Sequence, residues 1–282
     1  MNVVVTGSNG QLGSEFKTLK LNDIDWVFLN SNELDITNND FVRKYFKSKK
    51  IDLIINCAAF TDVDGAEENI KQAILVNKMG VQNLVEICSL HGIKLIHFST
   101  DYVFDGLSNT PYKESCQTNP SSIYGQSKLD GEKIILASNI YGLIIRTSWL
   151  YSSYGKNFVK TIIKMAESKS EIKVVSDQKG SPTFTNDLVK ATLKIISSNK
   201  YKWGKRADVF HYSNQGDCSW YEFANEIFRI KKIQINTIPV LSKEFETKVN
   251  RPKYSLLDSS KIKKVFDLTI PHWKESLKTM LN

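Results

Sequence analysis

Three consecutive valines, Val3 to Val5, run into Gly7-Ser8-Asn9-Gly10-Gln11-Leu12-Gly13, and a helical stretch from Leu12 to Leu19 begins before the glycines end. This strand–glycine–helix junction leaves few folds open. Gly7 permits a tight turn, Gly10 lets a phosphate approach the backbone, and Gly13 lets the helix pack close to the strand. Free N–H groups at the helix start, with the positive end of its dipole, suit a pyrophosphate. The spacing is G-x-x-G-x-x-G rather than G-x-G-x-x-G, so the loop alone also fits a plain glycine-rich turn. Its place at the first strand–helix junction is what points to a dinucleotide.

The alternation continues along the first half. Ile24 to Leu29, Ile51 to Asn56, Ile93 to Phe98 and Tyr141 to Thr147 read as strands, and Phe41 to Phe46 and Ala66 to Leu90 as helices. Strands that are apolar throughout are buried on both faces. Helices between them imply an α/β fold with a doubly wound parallel sheet and right-handed crossovers. The second half is less regular. Ile172 to Ser176 and Val209 to Ser213 read as strands; Asn157 to Ser168, Asp187 to Ser197, Trp220 to Ile230 and Pro271 to Leu281 read as helices. We expect a dinucleotide-binding domain over 1–150 and a smaller, interleaved substrate lobe over 151–282, with the strands near 172–176 and 209–213 returning to the main sheet.

Composition excludes several classes. The 282 residues are 41% hydrophobic and 24% charged, ordinary for a globular chain, and no apolar run approaches the ~20 residues of a membrane helix. The start of the chain has no basic segment or small-residue cleavage site, so a cytoplasmic location is expected. Cys57, Cys88, Cys116 and Cys218 are too widely spaced for a zinc site or a disulfide framework. The net charge of +8 comes mostly from lysine, with only five arginines, at 43, 146, 206, 229 and 251. Lys47, Lys49 and Lys50 read as a solvated helix end. A nucleic-acid face would interleave arginine and aromatics along one groove, so no nucleic acid is expected as a partner. The excess suits small anionic ligands.

Leu29-Asn30-Ser31-Asn32 follows the second strand. It carries neither an acid for a ribose 2′-hydroxyl nor an arginine for a 2′-phosphate, and Glu33 comes slightly late. NADH and NADPH both stay open, with the missing acid tilting the choice to NADPH. Ser99-Thr100 closes the fourth strand, and Tyr124 and Lys128 follow at i and i+4 on a helix, where phenol and ammonium share a face. A phenol with a pKa of about 10 exchanges protons poorly at neutral pH. An adjacent ammonium is expected to stabilise the phenolate and lower that value. Thr100 ends a strand on the edge where open parallel sheets bind ligands, placed to hydrogen-bond a substrate carbonyl. A lone Tyr-x-x-x-Lys arises by chance; after the glycine loop and the Ser-Thr strand end, in that order, it marks a hydride-transfer site.

These segments carry a resemblance, joined by Leu34-Asp35-Ile36-Thr37, Asn56 to Asp64, Phe98 to Gly106, Arg146 to Tyr151, Asp177 to Thr183 and Arg251-Pro252. Nearly end to end, the chain resembles the extended short-chain dehydrogenases/reductases, and within them the dTDP-4-dehydrorhamnose reductases. The Thr-Asp-Tyr-Val-Phe-Asp-Gly and Gln-x-Gly-x-Pro-Thr blocks are specific to that branch. The resemblance implies a Rossmann-type fold and a catalytic triad of Thr100, Tyr124 and Lys128. It implies cofactor contacts from Gly7, Asn9, Gly10, Gln11, Leu12, Gly13, Tyr124 and Lys128. Asp35 and Ile36 would border the adenine, and Ala58, Ala59 and Phe60 would line the path to the nicotinamide. Asn77 looks like the structural asparagine of the superfamily's fourth helix. Thr100, Asp101, Tyr102 and Trp149 would face the sugar, although Trp149 also fits a core aromatic and Asp101 a turn cap.

The implied reaction is NAD(P)H-dependent reduction of the C4 ketone of a dTDP-linked 4-keto-6-deoxyhexose, dTDP-4-dehydro-L-rhamnose, in polysaccharide precursor synthesis. Two other activities stay open: a reductase for a different nucleotide-linked 4-keto-6-deoxyhexose, and an NADP-binding regulatory subunit without turnover. The resemblance extends to some family members that hold magnesium through glutamates at a dimer interface, and Glu15 is one candidate, but no partners for it are identifiable, so no metal is expected. A homodimer is one option for an oligomeric state the sequence leaves open.

Overall fold

Alternate residues of each central strand go to opposite cores. Val3, Val5, Leu53, Ile55, Leu143 and Ile145 pack on one side of the sheet, and Val4, Ile54, Leu95 and Ile144 on the other. This is the period-two alternation of a strand in a sheet covered on both faces. Each such side chain, fully buried, contributes roughly 1.5–3 kcal/mol. The computed structural model describes residues 1–244 and 248–282. Strands β1 (Asn2–Thr6), β2 (Asp25–Leu29), β3 (Leu53–Asn56), β4 (Lys94–Thr100) and β5 (Gly142–Thr147) form the main sheet with a sixth strand, Asp208–His211. The order across it is Asp208–His211, β5, β4, β3, β1, β2, parallel throughout. The order reverses at β1 and β3, where the crevice outside the strand ends receives ligands in this fold type.

Helix α1 (Gln11–Leu19) and the helix Thr185–Ile196 cover the Val3/Val5 side. Helices α2 (Asn39–Phe46), α5 (Gly80–His91) and α6 (Ile123–Ala137) cover the other. The long helix expected from Ala66 is not continuous. It begins earlier as α3 (Val63–Glu68), breaks at Asn69, resumes as α4 (Ile70–Ile74), and passes through a π-helical turn over Leu75–Met79 before α5. Such wide turns gather at functional sites. This one carries Asn77, whose amide is committed to other elements.

The strand Glu171–Val175 does not return to the main sheet. It pairs in parallel with Asn236–Val240 in a separate two-stranded sheet. Ile172 and Val174 are buried while Glu171 and Lys173 are exposed. A strand with one solvated face does not suit the interior of a sheet covered on both sides. The C-terminal core gathers Tyr151, Val159, Ile172, Phe184, Phe223 and Trp273, separately from both faces of the main sheet. Among the described residues, no helix is long and apolar enough to cross a membrane.

Candidate active site at the C-terminal edge of the sheet

The glycine loop is built by close approach. Gly7 has φ +63°, and a Cβ there would lie 2.6 Å from the Ala58 backbone at the end of β3. A Cβ on Gly13 would lie 2.5 Å from the Gly7 carbonyl. Neither position admits a side chain. At Gly10, by contrast, a Cβ would meet only the Gly7 carbonyl, at 3.3 Å, so the side facing the crevice is open. Gly10 caps α1 without a side-chain hydrogen bond, and no acid stands in the first turn. The first N–H groups therefore remain available to an anion. The Ser8 hydroxyl beside them is buried without a partner. These features fit a dinucleotide pyrophosphate.

The other expected cofactor residues fall into two groups. Gln11 accepts from Ser152 Oγ (2.9 Å) and Asn157 Nδ2 (3.0 Å), tying the loop to the C-terminal lobe. Asn9 is exposed and accepts from Lys17 Nζ at 3.1 Å. Leu12 and Ile36 bury their side chains in the two cores, which leaves only their backbones for the crevice. Asp35 accepts from the Thr37 N–H and hydroxyl at 2.9 and 2.7 Å. Ala58, Ala59 and Phe60 leave β3 half-buried. Asn77 is fully buried and bonds both the N–H (2.9 Å) and the carbonyl (3.0 Å) of Phe60, and the Ser127 hydroxyl (3.0 Å). Its side chain is committed to Phe60 and Ser127, which fixes the chain where it leaves β3. Glu33, late in the sequence, folds back so that its carboxylate accepts from the Asn30 N–H at 2.9 Å, at the end of β2.

Ser122 caps α6 by accepting from the Gly125 N–H at 3.1 Å, and Glu67 accepts from the Ile123 N–H at 2.8 Å. The cap sets Tyr124 in the first turn, half-buried, with its ring edge-on to Tyr102 at 5.6 Å. Loss of solvent pushes the Tyr124 phenol up to about 12, and the nearby Thr100 hydroxyl opposes that rise. The expected relief from Lys128 is not what the geometry supplies. Lys128 turns its Nζ into the sheet, donating to the Phe98 carbonyl at 2.6 Å. Burial brings Lys128 down to about 8, against the Glu132 carboxylate, which favours its cation. Thr100 donates to Asp101 Oδ1 at 2.9 Å and accepts from the Tyr102 N–H at 3.2 Å. Asp101 is buried, its Oδ2 has no partner, and burial raises it to about 6.

Trp149 is strained and held. Its φ is +48°, and its ring stacks on Trp220 at 3.5 Å and 8°. A non-glycine residue in this region persists only when its surroundings enforce it. Trp220 packs in turn on Phe158 at 4.6 Å. Neither partner was expected at the site. The Ser219–Glu222 capping box starts the helix that carries Trp220, but no local pattern says that this ring meets Trp149. Arg251 of the Arg-Pro motif pairs with Asp64 of α3 at 2.6 Å and joins the C-terminal segment to the first domain. Glu15 is buried and accepts from Thr185 Oγ1 and Asn186 Nδ2, both at 2.9 Å. Among the described residues, no three His, Cys, Asp or Glu side chains are grouped to hold a metal.

Two histidines are buried behind the site. Burial, with Arg146 beside it, holds His211 down at about 3, and burial, with Lys128 beside it, holds His97 well below the usual range. The unfolded chain protonates both below about pH 6.5. The neutral native forms therefore stabilise the fold above that value, and the stability is lost as pH falls. We expect about 2 kcal/mol lost through His211 between about pH 7 and about pH 5, with a loss of the same sign through His97. Urea denaturation at the two pH values measures it. His211→Gln, which retains a donor for the Tyr112 carbonyl that His211 Nδ1 meets at 3.0 Å, should flatten the dependence; an unchanged slope would count against this account.

A parallel doubly wound sheet with a glycine cradle at β1, and Thr100, Tyr124 and Lys128 on β4 and α6, is a Rossmann-type fold. Residues 1–282 match the family described as the RmlD substrate binding domain, and the chain belongs to that family. It is 36% identical over 288 residues to a dTDP-4-dehydrorhamnose reductase of Sinorhizobium fredii, covering 100% of this chain and 97% of that protein. It is 39% identical over 280 residues to the spore coat polysaccharide biosynthesis protein SpsK of Bacillus subtilis, covering 99% and 96%. The crystal structure of the Bacillus anthracis dTDP-4-dehydrorhamnose reductase in complex with NADP aligns with a TM-score of 0.92 at 39% identity, covering 99% of this chain and 98% of that one.

Proposed function

We propose that this chain reduces the C4 ketone of dTDP-4-dehydro-L-rhamnose to dTDP-L-rhamnose with NADPH or NADH, in the cytoplasm, as a step in surface polysaccharide precursor synthesis. The observation that carries the reading is that Thr100, at the end of β4, and Tyr124, in the first turn of α6, stand at the same C-terminal edge of the sheet as the glycine cradle. The relatives' names and the NADP bound to one of them support the choice of substrate and cofactor.

A nicotinamide held at the glycine cradle would supply the hydride. The protein's own residues handle the oxygen and the proton. A phenol at about 12 stays protonated through the neutral range and gives its proton to the more basic alkoxide oxygen as charge builds there. Thr100 is a hydroxyl rotor: it donates to Asp101 at rest and can turn its proton to the oxygen that becomes more basic. By the family resemblance Lys128 would hold the nicotinamide ribose, its Nζ leaving the Phe98 carbonyl to do so. Asn77 fixes Phe60, and the strained Trp149 and its Trp220 stack wall the side where the sugar would lie. Holding the ketone, hydride donor and phenol in one geometry supplies much of the acceleration. The lobe over 151–282 provides the sugar side of the site.

The test is a panel of dTDP- and UDP-linked 4-keto-6-deoxyhexoses, each with NADPH and NADH side by side. Cofactor oxidation should be fastest with dTDP-4-dehydro-L-rhamnose. Faster turnover of another sugar would reassign the substrate, and tight NADPH binding without turnover of any sugar would leave a binding module.

A further inference from the structure

Behind Lys128 lies a buried polar chain that the proposed reaction does not use. Thr6 Oγ1 donates to Asn56 Oδ1 at 2.7 Å, and the Ala58 N–H donates to the same oxygen at 3.1 Å. Asn56 Nδ2 lies 3.0 Å from His97 Nδ1, and His97 Nε2 lies 3.4 Å from Lys128 Nζ. The chain crosses from β1 through β3 and β4 to α6, and none of Thr6, Asn56, His97 and Lys128 is more than 2% exposed.

The donors settle which ring nitrogen carries the proton. A backbone N–H can only donate, so the oxygen of the Asn56 amide must face Ala58. The amide nitrogen, a donor, then faces His97 Nδ1, which must accept. A neutral imidazole accepting at Nδ1 carries its proton on Nε2. That N–H points at Lys128. An ammonium has donors only and meets it donor to donor, whereas an amine has a lone pair to accept it. Reversing the ring's tautomer would require reversing the Asn56 amide and would leave the half-buried Ala58 N–H without its acceptor.

We infer that His97 is a positioning residue for Lys128: locked by Thr6, Asn56 and Ala58 with its proton on Nε2, it turns a donor to the lysine nitrogen and favours its amine form over the ammonium. This rests on the reading of Lys128 as part of the reductase site. The groups facing Lys128 are few. The Phe98 carbonyl accepts from it in either state, Glu132 on its own helix favours the cation but is shared with Arg146 of β5, and the Cys57 thiol at the end of β3 is kept neutral by burial. Tyr124 lies one turn away on the same helix. The depressed proton affinity of Lys128 agrees with this balance.

Two measurements test it without substrate. In ¹⁵N-histidine-labelled protein, with the resonances assigned by His97→Gln, long-range proton–nitrogen correlation should show His97 neutral with its proton on Nε2 at neutral and mildly basic pH. A proton on Nδ1, or an imidazolium, overturns the inference, and the wild-type protein alone reports this. In ¹³C-lysine-labelled protein, Lys128 should titrate well below the other lysines. In His97→Gln, whose amide can turn its oxygen to Nζ, the proton affinity should rise about tenfold, one pH unit. An unmoved Lys128 midpoint in a folded variant also overturns it. The basic limb of kcat/KM should move by the same amount. A protein that turns over none of the sugars would defeat the functional reading yet leave both nuclear magnetic resonance results to stand or fall by themselves.

Discussion

Replacing Tyr124 by phenylalanine should lower kcat by about three orders of magnitude while leaving NADPH binding close to native. The reasoning is local. The change removes the phenol hydroxyl and keeps the ring that packs edge-on against Tyr102 at 5.6 Å. The cap of α6 depends on Ser122 and Glu67, so the helix start does not move. The pyrophosphate cradle lies at β1 and α1 and does not involve the phenol. Absorbance of NADPH during turnover reads the first effect, and fluorescence titration with NADPH reads the second. A variant within ~10-fold of the native rate would remove Tyr124 from the proton path. The pH profile adds a check of sign. With Tyr124 held at about 12 and Lys128 at about 8, activity should fall on the basic side as Lys128 loses its charge, before the phenol ionises.

Replacing Arg146 by methionine should cost about 3–5 kcal/mol of stability, a large share of the roughly 5–15 kcal/mol that holds a domain together. Arg146 and Glu132 meet at 2.6 Å with side chains only 4% and 0% exposed, and the guanidinium also donates through Nε at 2.9 Å. Removing the arginine leaves the Glu132 carboxylate buried without its partner. Water cannot reach it to compensate, so the cost is that of an uncompensated charge rather than of one lost hydrogen bond. The paired change Glu132→Leu with Arg146→Met should recover most of the loss, because both charges then leave the interior. Urea denaturation followed by circular dichroism measures each variant; a loss below ~1 kcal/mol for Arg146→Met would contradict the buried-pair account. The paired variant should also lower the proton affinity of Lys128, since Glu132 is the carboxylate that favours its cation.

Much of the fold was legible because it depends on short-range pattern. Val3-Val4-Val5 and Leu53-Ile54-Ile55 are apolar at every position, and a strand of that kind is buried on both faces wherever it sits. The strand Glu171–Val175 was misplaced in the main sheet because its two buried residues look alike whether the partner is a six-stranded or a two-stranded sheet. Only the exposure of Glu171 and Lys173 between them distinguishes the cases. The helix after β3 was read as one run because apolar spacing continues through it. Its π turn carries Asn77 across to Phe60 and Ser127, contacts between distant parts of the chain that the spacing does not record.

The chain's sequence by itself determined the glycine cradle, the central parallel strands and the i, i+4 placement of Tyr124 and Lys128, because each is set within one element or one turn by sterics and helical period. The tertiary structure alone decided where Lys128 points, that Trp220 backs Trp149, and that Glu33 folds onto Asn30. These depend on which distant backbone carbonyls, rings and carboxylates are brought within a few ångströms once water is excluded. Spacing along the chain carries no record of that distance.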